Sequence, residues 1–327
     1  MNEKEGILNM SGKNAISQQE KVNLRRKKLH KFRVNGELFL LCLPALVGYL
    51  LFYYVPMVGN VLAFKDYKYK DGLFGSTWVG LKNFRILVVS DGLRKVIGNT
   101  VLYGVGWLVL GIVLHVICAL LLGEVTNQKS IKIFQTCMTI PNFMSIIIIG
   151  FITYAIFHPS MGFMNQVLKA LGKETVDVYT KPGVWPFILT FVNSWRGLGM
   201  GTLMYYAALM GIDPSLYDAA AIDGANHWQQ AWYIAIPHLV GVICIYGILG
   251  IGGILGADFG LFYQIPRNVA VLYPTTDVMS TYQFRALQGA SYGIGSAMGL
   301  VQSVATLILT VTANLVVKKV SPENSLF

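Results

Sequence analysis

Three aspartates, Asp213, Asp218 and Asp223, recur at five-residue steps in a stretch that holds no lysine or arginine between Arg196 and Arg267. Such acids stand out in a chain where 13% of residues are charged and 54% hydrophobic, because soluble domains carry about 25% charged residues. The run reads Gly211-Ile212-Asp213-Pro214-Ser215-Leu216-Tyr217-Asp218-Ala219-Ala220-Ala221-Ile222-Asp223-Gly224-Ala225 and continues through Asn226 and Trp232 to Ile236-Pro237. Asp213 is a good N-cap and Pro214 fits the first helical position. Ala219 to Ala221 continue the helix, Gly224 supplies a bend, and a second helical run leads to Pro237 as the start of the next apolar segment. An acidic helix with an alanine face and no base of its own suits docking into a groove that supplies one. A connector folded on a membrane surface would also be helical, but it leaves the missing bases unexplained.

Arg196 is the other conspicuous charge, because it lies inside an apolar run. A charge at the centre of a bilayer costs at least about 2.5 to 3.5 kcal/mol on insertion scales, so Arg196 faces a cavity, a partner or carbonyl groups and not lipid. Gly197 and Gly201, continued by Tyr205, Gly252 with Gly256, and Gly295 with Gly299 form small-residue stripes suited to helix packing. The histidines are scattered, which argues against a metal site. Cys42, Cys118, Cys137 and Cys244 sit in apolar runs without ligand spacing and read as small buried hydrophobes. No GxxxxGK[ST], HExxH or GxSxG pattern occurs, so the chain by itself is not expected to be an enzyme or to bind nucleotide.

These residues need a scaffold, and the apolar patterning provides one that crosses a bilayer about six times. A spanning helix needs about 20 mainly apolar residues. Candidates are Leu38 to Phe64, Val96 to Gly123, Ile133 to Phe157, a fourth within Val184 to Ile212, a fifth within His238 to Ala257 and a sixth within Ile294 to Val317. Half of the net charge of +10 belongs to residues 1 to 37, where Lys21, Arg25, Arg26, Lys27, Lys28, Lys31 and Arg33 precede the first span. This places the N-terminus in the cytoplasm by the positive-inside rule, and an even number of spans puts the C-terminus there too. The bases sit beside a span and not on a folded face with stacking aromatics, which argues against nucleic-acid binding. Residues 1 to 30 are polar and expected to be disordered. The expected organisation is a tail over 1–37, a first helix over 38–64, an extracellular loop over 65–95, a core of five helices over 96–317 with the loop 213–237, and a C-terminal tail over 318–327. In the 65–95 loop, Lys70-Asp71-Gly72 reads as a turn, and Trp78-Val79-Gly80-Leu81-Lys82-Asn83-Phe84 reads as either a short amphipathic surface helix or a solvated loop.

The pattern Tyr217-Asp218-Ala219-Ala220, Asp223-Gly224-Ala225 and Ile234 to Pro237 resembles the coupling-loop signature of binding-protein-dependent ABC importer permeases, with Asp218 where that family more often has Glu. Trp195-Arg196-Gly197-Leu198-Gly199, Trp78 to Phe84 and Asn99-Thr100 resemble its sugar-transporting branch, and Asp277-Val278 with Thr281-Tyr282 and Arg285 its subfamily for oligosaccharides derived from polysaccharides. The resemblance covers about residues 38 to 317. It implies an all-α, type I ABC importer transmembrane fold in the cell membrane, with a second, different permease subunit, two ATP-binding subunits that carry ATP and magnesium, and an external solute-binding protein that delivers an oligosaccharide. Tyr217, Asp218, Ala219, Ala220, Asp223, Gly224 and Pro237 would then form the contact with the ATPase subunits. Arg196, with Asn193 and Trp195 nearby, together with Asn142 and Tyr205, would contribute to a sugar path, unless Arg196 only pairs within the bundle. The alternatives are a permease of the same fold for a peptide or amino acid, or a secondary transporter, which would show an inverted repeat or several acids within its spans.

Overall fold

The computed structural model describes residues 35–36, 39–320 and 322. The basic tail, Leu38 and most of the last seven residues lie outside the described residues. The chain divides after Asn60 into two compact units.

The first unit contributes most of helix α1, Phe39–Phe64, whose residues are almost all exposed. Within it, Leu50–Tyr54 widens to a π-turn and the Val55 N–H donates to Leu50 O. Pro56 follows two residues after the π-turn. A proline ring clashes with the carbonyl four residues before it and cannot donate, and one wider turn relieves both problems.

The second unit begins with a hairpin, β1 Lys65–Asp66 and β2 Thr77–Trp78, paired antiparallel with Lys65 opposite Trp78. It encloses α2, Gly72–Gly75, and is closed by Lys65 Nζ, which donates to Leu73 O at 2.8 Å and Phe74 O at 3.0 Å. Helix α3 covers Lys82–Val89. The segment Trp78 to Phe84 is therefore no single helix: Trp78 pairs in the hairpin, and Gly80 at φ 58 turns the chain before the helix starts. The long helices follow: α4 Asp91–Gly123, α5 Gln128–Phe143, α6 Ile146–Phe157, the short α7 Phe163–Ala170, and α8 Trp185–Leu209. Then come α9 Pro214–Ile222, α10 His227–Gly256, α11 Phe259–Gln264, α12 Tyr273–Thr276, α13 Met279–Gln288 and α14 Tyr292–Val320.

Four of these helices, α1, α4, α10 and α14, are long and apolar enough to cross a membrane, or five if α5 and α6 form one broken span. The expected third span is not straight: α5 and α6 meet at 97°. Pro141 sits in the last turn of α5, and Ser145 caps α6 by accepting from the Ile147 N–H. The expected fourth span, α8, is 25 residues long, but Asn193 and Arg196 dilute its apolar character. The second span begins at Asp91, five residues before the expected Val96, because Ser90 and Asp91 start a polar first turn. Lys318 and Lys319 lie in the last turn of α14 and not in a separate tail, where cations suit the helix dipole.

Helix α8 is the hub, packing mainly on α4 and α5. Three buried clusters follow one another. One gathers Ile149, Trp185, Leu189, Leu261 and Phe262; the second joins Leu93, Val96, Ile254, Met279 and Met298; the third joins Ala119, Tyr205, Leu209, Ile212, Ala235 and Leu239. Many large apolar side chains remain exposed, as expected of surfaces that meet lipid tails or partner subunits. The cysteines follow that rule and not the expected burial: Cys42 and Cys137 are exposed and Cys118 and Cys244 half-buried, because an apolar run in a membrane chain can face outward.

Candidate coupling site and path

Helix α9 is held at both ends by its own sequence. Asp213 accepts from the Ser215 N–H at 2.9 Å, and Pro214 takes the first turn. The hydrogen bonds from the Ser215 backbone and side chain hold the Asp213 carboxyl below its ordinary value. At the far end Gly224 adopts φ 79, and its N–H donates to Ala221 O at 3.1 Å while the Ala225 N–H donates to Ala220 O at 2.9 Å. This pair of bonds is a Schellman motif, which needs a left-handed residue that glycine adopts without strain. Two residues later, Asn226 and Gln229 form a capping box at 2.8 and 2.9 Å that starts α10. The bend between α9 and α10 is thus only Gly224 and Ala225 wide.

The side chains of α9 divide by direction. Asp218, Ala219 and Asp223 are exposed and Ala220 is half-buried. Tyr217 turns inward onto the cluster of Tyr205, Leu209 and Leu239, and burial, with the nearby Glu124 charge, raises its hydroxyl above its ordinary value. Leu216 and Ile222 stay exposed, Ile222 at 87%. Glu124, just past the end of α4, pairs with His227 at 2.9 Å and ties the bend to a third helix. Pro237, expected at the entry to the fifth span, stands at the first turn of the segment Ile236–Gly253 without interrupting the longer helix. It lies inside α10, immediately after a π-turn over Ala231–Ala235 in which the Ile236 N–H donates to Ala231 O. The geometry repeats that of Pro56.

The second constellation lies between the two arms of α9. Arg196 on α8 pairs with Asp258, just beyond α10, at 2.7 Å, with 29% and 40% of their side chains exposed. Asp258 also caps α11 by accepting from the Leu261 N–H at 3.1 Å. Beside the pair is a cavity of about 290 Å³ whose lining includes Tyr103, Trp107, Asn193, Asp258 and Phe262. Trp107 and Phe262 stack at 5.2 Å, and Tyr103 meets Phe262 edge-on at 4.9 Å. The Trp107 Nε1–H donates to Thr190 Oγ1 at 2.9 Å and the Tyr103 hydroxyl to Thr275 O at 2.7 Å, so both rings are fixed in place. Aromatic faces with a few oriented polar groups are the usual lining of a site for a ring-shaped, hydroxyl-bearing ligand.

Residues 108–322 match the family of binding-protein-dependent transport system inner membrane components. The chain belongs to that family. It is 32% identical to the polygalacturonan/rhamnogalacturonan transport system permease protein YteP of Bacillus subtilis, over 91% of this chain and 93% of that protein. It is 29% identical to the arabinooligosaccharides transport system permease protein AraP of Halalkalibacterium halodurans, over 72% and 74%. In structure it is similar to a chain of a bacterial ABC transporter involved in the import of the acidic polysaccharide alginate, with TM-score 0.82 and 30% identity over 90% of this chain and 99% of that one. A second crystal structure, of a bacterial alginate ABC transporter in complex with an alginate pentasaccharide-bound periplasmic protein, aligns with TM-score 0.80 and 31% identity. The protein is thus a multi-pass permease subunit of an ABC importer, non-catalytic, with the type I importer fold.

In this permease the sequence-predicted residues separate into groups. Asn193 lines the cavity, and Arg196, outside the lining, is tied to it through its pair with Asp258. Tyr205 does neither: it is 0% exposed and packs with Tyr217 and Tyr246 at the α9 end of the molecule. Trp195 is exposed and Asn142 half-buried, and neither is part of the cavity lining. Tyr103, Trp107 and Phe262 escaped sequence reading; Asp258 is legible there as an acid at a span end, but its pairing with Arg196 is not. Two motifs of the resemblance meet in space. Asn99 Nδ2 donates to Asp277 O at 3.0 Å, and the Met279 N–H to Thr100 Oγ1 at 2.9 Å. Asp277 in turn accepts from Thr281 Oγ1 at 2.6 Å and pairs with Arg285, which lies over the Tyr273 ring. This cluster binds the 270–288 segment to α4.

Proposed function

We propose that this permease forms, with a second permease subunit, the path for an oligosaccharide in an importer whose two ATP-binding subunits seat α9 and whose external solute-binding protein delivers the sugar. ATP and magnesium belong to the ATP-binding subunits. The cell membrane is the location, with both termini and α9 in the cytoplasm, as the basic tail argues. The carrying observation is a helix capped at both ends, exposed on its Asp218, Ala219 and Asp223 face, and joined by short turns to two membrane helices. Closure of the ATP-binding subunits displaces whatever sits in their grooves, and such an element passes the displacement on without absorbing it. Its arms α8 and α10 lead to Arg196 and Asp258. The aromatic cavity between them suits a single sugar ring of such a chain, and the relatives named for polygalacturonan, arabinooligosaccharide and alginate transport support that class.

The test is substrate-stimulated ATP turnover of the complex reconstituted in liposomes. Gly224→Val strains the left-handed turn, and Asp218→Lys reverses the charge of the exposed face. Each is expected to insert normally and to lose about tenfold or more of the stimulation, within the usual range of a coupling free energy. Normal stimulated turnover in both variants would overturn the assignment of α9. Binding of a glycan panel by the cognate solute-binding protein decides the solute class, and a protein that binds only peptides or amino acids would overturn the oligosaccharide.

A further inference from the structure

The connector between α1 and α4 contributes no residue to the cavity lining or to the cluster under α9, yet it is closely packed. Buried Asn83 donates to Ala63 O at 2.9 Å and to Lys65 O at 3.0 Å, carbonyls at the end of the first span. Gly293, at the start of α14, packs so closely that an added Cβ would lie 2.6 Å from Asn83 Nδ2 and 2.8 Å from Lys65 O. Helix α3 is therefore pinned at the level where α1 ends and α14 begins, one residue before α4 itself starts. Aromatic rings collect there: Phe64 stacks on Trp78 at 5.6 Å and meets Phe84 at 5.2 Å, and Tyr67 meets Tyr292 at 5.1 Å. Such a belt marks the membrane–water boundary.

Asn83 and Leu87 are the buried residues of α3. The remaining surface exposes Val88 and Val89, at 69% and 70%, with Ile86 and the bases Lys82 and Arg85. Lys82, Arg85, Ile86, Val89 and Ser90 line an otherwise apolar groove of about 310 Å³. Over residues 82–95 the bases Lys82, Arg85, Arg94 and Lys95 face one acid, Asp91. Among the described residues none of these four bases has an ion-pair partner.

We propose that this face of α3 binds an anionic phospholipid, its phosphate held by Lys82 and Arg85 and an acyl chain lying along Ile86 and Val89. A basic helix with an exposed apolar edge at the interface plane is the arrangement that lies on an anionic bilayer. Guanidinium and ammonium donors match phosphate oxygens. A neutral lipid would fill the groove and leave the bases without a counter-charge, while a soluble acidic partner would satisfy the bases and leave Ile86 and Val89 in water.

The experiment is native mass spectrometry of the detergent-purified transporter titrated with dioleoyl phosphatidylglycerol or dioleoyl phosphatidylcholine. The tightest phosphatidylglycerol should be retained over phosphatidylcholine and should be weakened about 30-fold by Lys82→Glu with Arg85→Glu, the scale two interfacial bases supply. Lys82→Arg with Arg85→Lys should retain it. On the wild-type protein, rising salt should weaken phosphatidylglycerol and leave phosphatidylcholine unchanged, a readout independent of whether the reversed variant folds. Equal retention of the two lipids by the wild type, or unchanged phosphatidylglycerol retention in the reversed variant, would overturn the proposal. So would a reversed variant that keeps its lipid but loses stimulation by the external binding protein, since the face would then be a protein dock.

Discussion

The pair of Arg196 and Asp258 shows how one residue reshapes a span. A lone arginine at mid-span is costly, and an acid 62 residues away supplies its counter-charge at 2.7 Å. Because both side chains are about a third exposed, the pair itself contributes on the order of 1 kcal/mol, and the larger effect is the charge left alone when one partner goes. Arg196→Gln and Asp258→Asn should each lower the melting temperature in detergent, and the double variant should be less destabilised than the sum of the two; strictly additive shifts would show that the pair carries no coupling. Glycines make a second test. The stripe expected from spacing was Gly197 with Gly201, but a Cβ at Gly197 meets nothing within 4 Å, whereas one at Gly199 would run into the Met138 and Thr139 backbone and one at Gly201 into the His115 ring. Gly197→Ala should be neutral or stabilising, by up to about 1 kcal/mol from helix propensity, and Gly199→Ala clearly destabilising, as melting curves would record. Spacing identifies a small-residue face, but which glycine touches depends on the rotation of α8 against α4 and α5, which the sequence of α8 alone does not contain.

At the scale of elements, α9 was the most legible part of the chain. Its N-cap, its first-turn proline and its glycine bend all use local chemistry, which spacing alone reveals, and each has its expected partner. The errors fell where one element must accommodate another. Pro237 read as the start of a separate apolar span, but the π-turn over Ala231–Ala235 absorbs it and lets α10 run unbroken from the bend into the span. Pro141 has the opposite outcome, since Ser145 restarts the helix at 97° to the last. Two predictions belong here. Asn226→Ala removes the bond from the Gln229 N–H to the Asn226 side chain, leaving the backbone N–H of residue 226 to donate to Gln229, and should cost about 1 kcal/mol locally, seen as faster amide hydrogen exchange at residues 226–230 with exchange in the middle of α10 unchanged. Asp213 titrates below its ordinary value of 3.8 because its ionised form accepts the Ser215 bonds. A depressed carboxylate stabilises the fold above the unfolded value, and that stability is lost as pH falls through the folded one. The protection of the first turn of α9 should therefore be constant above about pH 5 and fall below 3.8, while Asp213→Asn should make its protection factor, with intrinsic exchange divided out, independent of pH through this window.

Across the whole molecule, in the coupling proposed above, the bend and the cavity are two ends of one device. From Arg196 to the end of α8 is about 20 Å of helix, and α10 runs about 45 Å from the bend to the neighbourhood of Asp258, at 1.5 Å per residue. Six apolar runs were expected to cross. Among the described residues four are helices long and apolar enough to do so and the bent pair α5–α6 is a fifth if it forms one span, while α8 is diluted by Asn193 and Arg196. The cavity was only partly legible because its aromatic wall comes from α4 and α11, which meet α8 through tertiary packing alone. Since the chain joins α8 and α10 only through α9, by residues 210–213 at one end and the Gly224–Ala225 bend at the other, a change of angle at α9 should alter the distance between Asn193 and Ala257 on the cavity wall. With the four native cysteines replaced, spin labels at these two positions in the reconstituted complex should give one distance distribution without nucleotide and a displaced one with a non-hydrolysable ATP analogue. Adding Gly224→Val should remove the displacement while leaving the nucleotide-free distribution unchanged. A distance that ignores nucleotide in the unmutated complex would mean that the arms move as one body with α9, and that the path is gated by the partner permease instead.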